Sequence, residues 1–194
     1  MRIGPYFSRP AEFRAYEPEA IEIACLLRNA IQGMEPELEV EHVGSTSIPG
    51  CGGKGIIDLA VLFPEGLLAR ARKVLDGLGF QKQGGREPFP EERPMRVGCA
   101  DHGGRSYRIH AHVVARSSRE HDELVWFRET LRRNSTLRQR YEDRKRAILA
   151  AGITDEIDYC KAKGGFVSNV LEERESEQRT LVEAKVIEPG GRVA

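Results

Sequence analysis

The segment from Glu41 to Val61, EHVGSTSIPGCGGKGIIDLAV, contains the residue types that phosphate and metal binding require. Gly44 and Ser45 follow an apolar run, and backbone N–H groups left free at the start of a turn or helix attract phosphate. Asp58 lies within the next apolar run, where a carboxylate can hold a divalent cation that bridges phosphates. The pattern predicts a phosphate-and-metal site, with a tight turn and a structural aspartate as the alternative.

The glycine-rich loop around Lys54 differs from a P-loop. A P-loop has the pattern G-x-x-x-x-G-K-[ST], but here Gly53 and Lys54 are followed by Gly55, and Ile48 stands where the first glycine is required. The spacing therefore disfavours a P-loop kinase. Lys54 can still contact a phosphate as a point charge, and the alternative is a solvated loop lysine.

A second candidate site lies in the sequence SYRIHAHVV, where His110 and His112 are two positions apart in a predicted strand. Side chains at this spacing project from the same face, so the two imidazoles and Asp58 would make a two-histidine, one-carboxylate metal site. The alternative is one core histidine and one exposed histidine. The short H-x-H pattern alone favours that alternative over a tightly held transition metal.

The two helices predicted after Ser117 are rich in basic residues, which can contact phosphate or RNA. No aromatic stacking platform is interleaved with them, which disfavours a nucleic-acid partner. The pattern favours a solvated helix face with i,i+4 ion pairs, Glu129 with Arg133 and Glu142 with Arg146. The basic residues are Arg128, Arg132, Arg133, Arg138, Arg140, Arg144, Lys145 and Arg146.

Hydrophobic periodicity predicts the elements that must position these residues. Alternating or continuous apolar runs predict strands, and helical spacing predicts helices. The result is an α+β fold, a small sheet with a helical C-terminal third packed on it. The predicted strands are residues 38–43, 56–63, 95–100 and 107–115, with a short strand opening at Phe80. The predicted helices are residues 10–31, 67–78, 120–134, 136–150 and 155–186, and the proline-rich residues 84–94 form a loop.

Composition argues against several classes of protein. The 194 residues suffice for one domain, or one domain with a helical extension, and the 30 basic and 30 acidic residues cancel. This balance favours neither a nucleic-acid nor a membrane partner. The first ten residues lack the apolar core of a signal peptide, no apolar run is long enough to span a bilayer, and the four cysteines are scattered as reduced thiols are. We therefore expect a cytoplasmic protein.

Taken in order, these motifs resemble the GrpB family. The family's H-[IV]-G-S-T-[SA]-[IV]-P-G motif is matched by residues 42–50, and its I-I-D-[IL] strand by residues 56–59. Its H-L-H-V strand is similar to residues 110–113, its F-R-D-x-L-R helix start to residues 127–132, and its Y-x-x-A-K motif to residues 159–163. The resemblance covers about residues 10–171, and its first motif is long and specific.

The GrpB family is grouped with nucleotidyltransferases of polymerase-β type, so the resemblance implies a small mixed β-sheet of nucleotidyltransferase type flanked by helices. With the pattern of predicted elements, we expect a nucleotidyltransferase-like core at residues 1–117, a helical part packed on that core at 118–186, and a flexible tail at 187–194. In active members of that superfamily, Gly-Ser binds nucleotide phosphates, and two or three carboxylates bind two metal ions, here Mg²⁺ or Mn²⁺.

Carried over to this sequence, the resemblance implies catalytic roles for Asp58 and His112, with Asp58 also binding the metal. It implies contacts to a nucleotide or another phosphorylated small molecule from a larger set: His42, Gly44, Ser45, Thr46, Ser47, Lys54, His110, Arg128 and Lys163.

The sequence departs from the superfamily pattern at the metal ligands. Ala60 occupies the second acidic position, two residues after Asp58, and His110 and His112 stand where a third carboxylate is expected. One carboxylate is a poor ligand set for two hard cations, because such ions require several oxygen ligands. Ordinary two-metal nucleotidyl transfer is therefore in doubt for this chain.

We therefore expect a GrpB-family protein that binds a nucleotide or another phosphorylated ligand, with nucleotidyl transfer left open. One alternative is a catalytically inactive binding or regulatory module for a nucleotide or a coenzyme A-related ligand, because the GrpB domain also occurs fused to dephospho-CoA kinases. The other alternative is a metal-dependent hydrolase that uses Asp58, His110 and His112.

Overall fold

The computed structural model describes the backbone of residues 2–186 and the side chains of residues 2–176. The tail predicted at 187–194 lies outside the described residues. Within them, one five-stranded sheet is flanked by helices. The helices are α1 (Glu19–Met34), α2 (Leu68–Leu78), α3 (Arg119–Arg133), α4 (Ser135–Ala150) and α5 (Glu156–Val186). The strands are β1 (Glu39–Val43), β2 (Ile57–Phe63), β3 (Gln81–Lys82), β4 (Met95–His102) and β5 (Arg105–Ala115).

The sheet is mixed, and the predicted α+β class is confirmed. The strand order is β1-β2-β5-β4-β3, with β2 parallel to β5 and the other neighbours antiparallel. The β2–β5 register aligns Asp58 with His110 and Ala60 with His112. Because alternate residues of a strand project from the same face, all four side chains belong to one face of the sheet.

Helices α1 and α2 pack on the other face and form the main core. Ile23, Leu27 and Ile31 recur at helical spacing on α1 and are almost fully buried, in one apolar cluster with Leu59 of β2. Burying each such side chain contributes roughly 1.5–3 kcal/mol to stability. This packing fixes β2, the strand on which Asp58 lies.

The C-terminal helices cover only half of the face that bears Asp58. Leu62 of β2 and Val114 of β5 are buried there, beside Leu124 of α3. Asp58 and His110 lie nearer the other ends of the same two strands and are only partly buried. The uncovered half of this face therefore forms the floor of a cleft.

The first helix begins at Glu19, so the predicted start at Pro10 is wrong. The residue before a proline disfavours helical dihedral angles, and Pro18 stands immediately before the helix. The preceding segment makes its backbone hydrogen bonds elsewhere, and the Arg14 N–H donates to Gly53 O at 2.7 Å. The N-terminal segment is therefore available to line the cleft.

The two i,i+4 ion pairs predicted for the basic helices are also wrong. Glu129 instead accepts hydrogen bonds from Arg128 and Arg132. Glu142 accepts a hydrogen bond from the backbone N–H of Gly52 at 2.7 Å and so binds α4 to the glycine-rich loop. These contacts show that part of the basic helix surface packs on the rest of the molecule.

The four cysteines are free thiols, as expected, with Cys25 and Cys160 exposed and Cys51 and Cys99 buried. Among residues 2–186, no helix combines the length and the apolar composition that crossing a bilayer requires.

Candidate functional site

A cleft of about 1330 Å³ lies over the uncovered half of the sheet. Asp58 of β2 and the two histidines of β5, His110 and His112, lie on its floor. Tyr6 of the N-terminal segment and Lys163 of α5 lie in its walls. Four parts of the chain that are distant in sequence therefore meet at one site.

Asp58, His110 and His112 come together as the strand register requires. Asp58 Oδ1 lies 3.5 Å from His110 Nδ1 and 3.8 Å from His112 Nε2, and one ligand atom of each residue lies within 4.8 Å of the others. Burial acts to raise the pKa of Asp58, but its contacts with both histidines outweigh burial and hold that pKa below its usual range. Burial holds the pKa of His110 below its ordinary value.

Gly44 brings the Gly-Ser turn into direct contact with Asp58. Its φ of 69° and ψ of −174° belong to a region that almost only glycine adopts. A Cβ atom added at this position would lie 2.3 Å from Asp58 Oδ2. The close approach of turn and carboxylate therefore requires glycine here.

Of the three residues in the Ser45–Ser47 turn, only Ser45 lines the cleft. Thr46 Oγ1 donates to Ile56 O at 3.0 Å, and Ser47 Oγ donates to Gly44 O at 2.7 Å. The Ser45 side chain lines the cleft, and its hydroxyl makes no hydrogen bond with any residue that the structure describes. The turn is therefore braced locally and leaves the Ser45 hydroxyl without a partner among the described residues.

Three lysines in the cleft have no carboxylate partner within the described part of the chain, and one of them, Lys145, donates instead to Gly52 O. Lys54 Nζ lies 3.8 Å from Cys160 Sγ and 5.4 Å from the centre of the Tyr159 ring. The neighbouring Tyr141 holds the pKa of Lys163 above its ordinary value, so its ammonium group stays charged. By contrast, Lys161 at the rim is ion-paired. The inner cleft therefore carries two ammonium groups that form no direct ion pair with a described carboxylate, although the charge of Asp58 also acts on Lys163.

Four residues of the predicted ligand set are absent from the cleft lining. His42 Nε2 contacts Thr46 Oγ1 at 2.9 Å, and burial lowers the pKa of His42 to about 4. Thr46 and Ser47 are buried and brace the turn. Arg128 donates to Glu41 Oε2 at 2.8 Å and to His42 O at 3.0 Å, which joins α3 to β1. The other predicted residues, Gly44, Ser45, Lys54, Asp58, His110, His112 and Lys163, line one cleft.

Three residues that the sequence did not single out stand behind His110. Tyr6 Oη lies 2.9 Å from His110 Nε2 and 3.4 Å from Glu156 Oε2. Glu156 Oε1 in turn accepts a hydrogen bond from Arg108 Nη1 at 2.6 Å. Strand alternation could have identified Arg108, because it shares a face with His110 and His112. No local pattern links Tyr6 to a histidine 104 positions away.

The two-Mg²⁺ centre that the resemblance implies does not fit this cleft. Asp58 is the only carboxylate in the three-residue cluster found among the described residues. Ala60 is fully buried in an apolar cluster. Asp155 and Glu156 also line the cleft, but each is ion-paired with an arginine. Because Mg²⁺ prefers several oxygen ligands, these residues do not support nucleotidyl transfer by the two-metal route.

Comparisons with known proteins agree with the motifs. A family model described as GrpB protein matches residues 11–173. A UPF0157 protein of Vibrio cholerae is 33% identical over 159 residues, which are 82% of this chain and 73% of that protein. The crystal structure of the conserved protein GrpB from Enterococcus faecalis is similar, with a TM-score of 0.58 and 21% identity, over 82% of this chain and 99% of that chain.

A structure of Cid1 in complex with its short product ApU is also similar, with a TM-score of 0.47 and 15% identity, over 68% of this chain and 41% of that chain. This similarity is too low to support an inference about function. The family model, by contrast, spans most of the sequence and includes every residue of the cleft floor. The chain belongs to the GrpB family.

Proposed function

We propose that this protein binds a phosphorylated small molecule, preferably a nucleotide, in the cleft above Asp58. The observation that supports this most directly is that Ser45, Lys54 and Lys163 line one cleft, while the Ser45 hydroxyl makes no hydrogen bond and neither lysine forms an ion pair within the described part of the chain. Phosphate groups supply acceptor oxygens and negative charge together, so a phosphorylated ligand in this cleft suits both the hydroxyl and the two ammonium groups.

The size and walls of the cleft favour a nucleotide over inorganic phosphate. Pockets for small-molecule ligands usually enclose roughly 300–1,000 Å³, and this cleft of about 1330 Å³ exceeds that range. Phe89, which is partly exposed, provides aromatic surface in its wall, on which a base can stack. The proposal concerns binding, and it holds whether or not the ligand is turned over.

Isothermal titration calorimetry with ATP, tripolyphosphate and adenosine tests the proposal. Ser45→Ala removes a hydrogen bond to a charged group, which costs roughly 1.5–3 kcal/mol of binding, or about 10- to 150-fold in affinity. Lys163→Met should weaken the binding of ATP and of tripolyphosphate by similar factors and leave the affinity for adenosine unchanged. Lys161→Met is the matched control, because that lysine is 60% exposed and pairs with Glu87.

Two results would reject the proposal. The first is the absence of binding of ATP and tripolyphosphate to the wild-type protein. The second is equal affinity of wild type, Ser45→Ala and Lys163→Met for both ligands, because the phosphate would then bind elsewhere. Titrations in the presence of EDTA separate the contribution of the protein from that of any bound metal ion.

A metal-dependent hydrolase is a second candidate function, and the cluster of Asp58, His110 and His112 favours it. A metal ion on these ligands would supply an activated water molecule. The neighbouring phosphate site, Ser45 and Lys163, would hold the scissile group beside that water. We expect the protein to release phosphate from ATP only when Mn²⁺ or Zn²⁺ is added. A His110→Ala, His112→Ala double variant should lose this activity.

A further inference from the structure

A chain of polar contacts leads away from the cleft floor behind His110. His110 Nδ1 faces Asp58, and His110 Nε2 lies 2.9 Å from Tyr6 Oη. Tyr6 Oη also lies 3.4 Å from Glu156 Oε2, and Glu156 Oε1 accepts from Arg108 at 2.6 Å. Both ring nitrogens of His110 therefore have a defined neighbour, and the outer neighbour has its own acceptor.

The single proton of the Tyr6 hydroxyl allows two arrangements of this chain. In one, His110 carries its proton on Nδ1, donates it towards Asp58, and accepts a hydrogen bond from Tyr6 at Nε2. In the other, His110 carries its proton on Nε2 and donates it to Tyr6 Oη, while Tyr6 donates to Glu156. The second arrangement leaves a lone pair on Nδ1 pointing at the Asp58 carboxylate, which is unfavourable unless a cation lies between them.

We propose that Asp58, His110 and His112 bind a divalent first-row transition ion, and that Tyr6 is a positioning residue that holds His110 in the Nε2-protonated form this ion requires. The inference deepens the proposed phosphate site, on which it rests, by naming the class of cation beside the phosphates. Binding of the ion to Nδ1 moves the ring proton to Nε2 and turns the Tyr6 hydroxyl from His110 to Glu156.

The ligand set determines the class of ion. Two imidazole nitrogens and one carboxylate suit zinc, iron, cobalt and manganese, whereas Mg²⁺ selects oxygen ligands. A histidine that binds a metal through one nitrogen almost always donates its other N–H to a fixed acceptor. Tyr6 occupies that acceptor position for His110. Its oxygen can accept from His110 Nε2 while its hydroxyl proton is donated to Glu156.

Buried charge on the far side keeps Glu156 in place. The Arg108 side chain is 0% exposed and pairs with Glu156, and its Nε and Nη2 have no hydrogen-bond partner within the described part of the chain. Leaving a buried guanidinium without its carboxylate partner is strongly destabilising, so Arg108 favours conformations in which Glu156 stays beside it. Ser8 Oγ also donates to Glu156 Oε2, at 3.2 Å. Glu156 is therefore oriented towards Tyr6 by contacts on both sides.

Titration of the metal-free protein with Co²⁺, Zn²⁺ and Mg²⁺ tests the inference, with the visible absorption of Co²⁺ as the signal of nitrogen ligation. Wild type should bind one Co²⁺ or Zn²⁺ and bind Mg²⁺ far more weakly. Tyr6→Phe should bind Co²⁺ roughly 10- to 100-fold more weakly, as other losses of outer partners do. Tyr16→Phe is the matched control and should bind Co²⁺ with the affinity of the wild type, because Tyr16 does not line the cleft.

Imidazole ¹⁵N spectra of the wild-type protein test the same inference without a substitution. The chain has five histidines, and the zinc-bound protein should show His110 protonated at Nε2 and metal-bound at Nδ1. Absence of Co²⁺ and Zn²⁺ binding, equal affinities of Tyr6→Phe and wild type, or a zinc-bound His110 protonated at Nδ1 would each overturn it. Tripolyphosphate should bind in the presence of EDTA, because the phosphate site needs no metal ion. Absence of that binding would reject the phosphate site, whereas the results above would reject only the metal site, so the two failures are distinguishable.

Discussion

Replacing Gly44 with alanine would drive a methyl group into the Asp58 carboxylate. The added Cβ would lie 2.3 Å from Asp58 Oδ2 and 2.9 Å from Asp58 Cβ, closer than non-bonded atoms approach. Asp58 has little freedom to withdraw, because its other oxygen contacts His110 and His112. We therefore expect Gly44→Ala to destabilise the fold and to displace the central carboxylate of the site.

The magnitude has two parts. Holding a non-glycine residue at φ 69° and ψ −174° costs of order 1–3 kcal/mol of backbone strain. Inserting a methyl group where no space exists costs typically about 1–3 kcal/mol more. The free energy of unfolding should therefore fall by about 2–6 kcal/mol. Such a loss is a large part of the stability of an ordinary domain.

Gly50→Ala is the control that separates the two parts. Gly50 also has a positive φ, 76°, but a Cβ added there meets no atom within 4 Å, so only the strain remains. Urea unfolding followed by circular dichroism should show Gly44→Ala to be less stable than Gly50→Ala by roughly 1–3 kcal/mol. Equal destabilisation of the two variants would refute the contact between the turn and Asp58 and the reasoning built on it.

Two further predictions concern the turn and the strand beneath the site. Burial lowers the pKa of His42 to about 4, from an ordinary value near 6.5. As the pH falls, the unfolded chain therefore takes up a proton at this histidine before the folded protein does. The free energy of unfolding of the wild type should fall between about pH 6.5 and pH 4, by up to about 3 kcal/mol. Urea unfolding at pH 7 and pH 4.5 should show a smaller loss in His42→Gln, and the same loss in both proteins would contradict the buried neutral imidazole. Ala60→Asp places a carboxylate at a fully buried position on the Asp58 face, so the metal-free variant should melt at a lower temperature than wild type while Mn²⁺ raises its melting temperature more. An Mn²⁺ shift no larger than that of wild type would show that residue 60 cannot reach the ion.

The helices, most strands and the family of this protein could be predicted because their signals are local in sequence. The apolar stripe of α2 and the continuous apolar run of β2 depend on residues within a few positions of each other. The pairing of Asp58 with two histidines could be anticipated from strand alternation, once β2 and β5 were taken as neighbours. The start of α1 was missed because hydrogen bonds to the glycine-rich loop and to residue 154 hold the preceding segment outside the helix.

Only the tertiary structure decided which polar residues serve the cleft. Arg128 and Lys163 were predicted together as ligand residues, yet Arg128 binds Glu41 and Lys163 lines the cleft. Tyr6 reaches His110 across 104 positions and Glu156 across 150. Sequence periodicity reports which face of its own element a side chain occupies. It does not report which distant element packs against that face, because that pairing depends on how the whole chain folds.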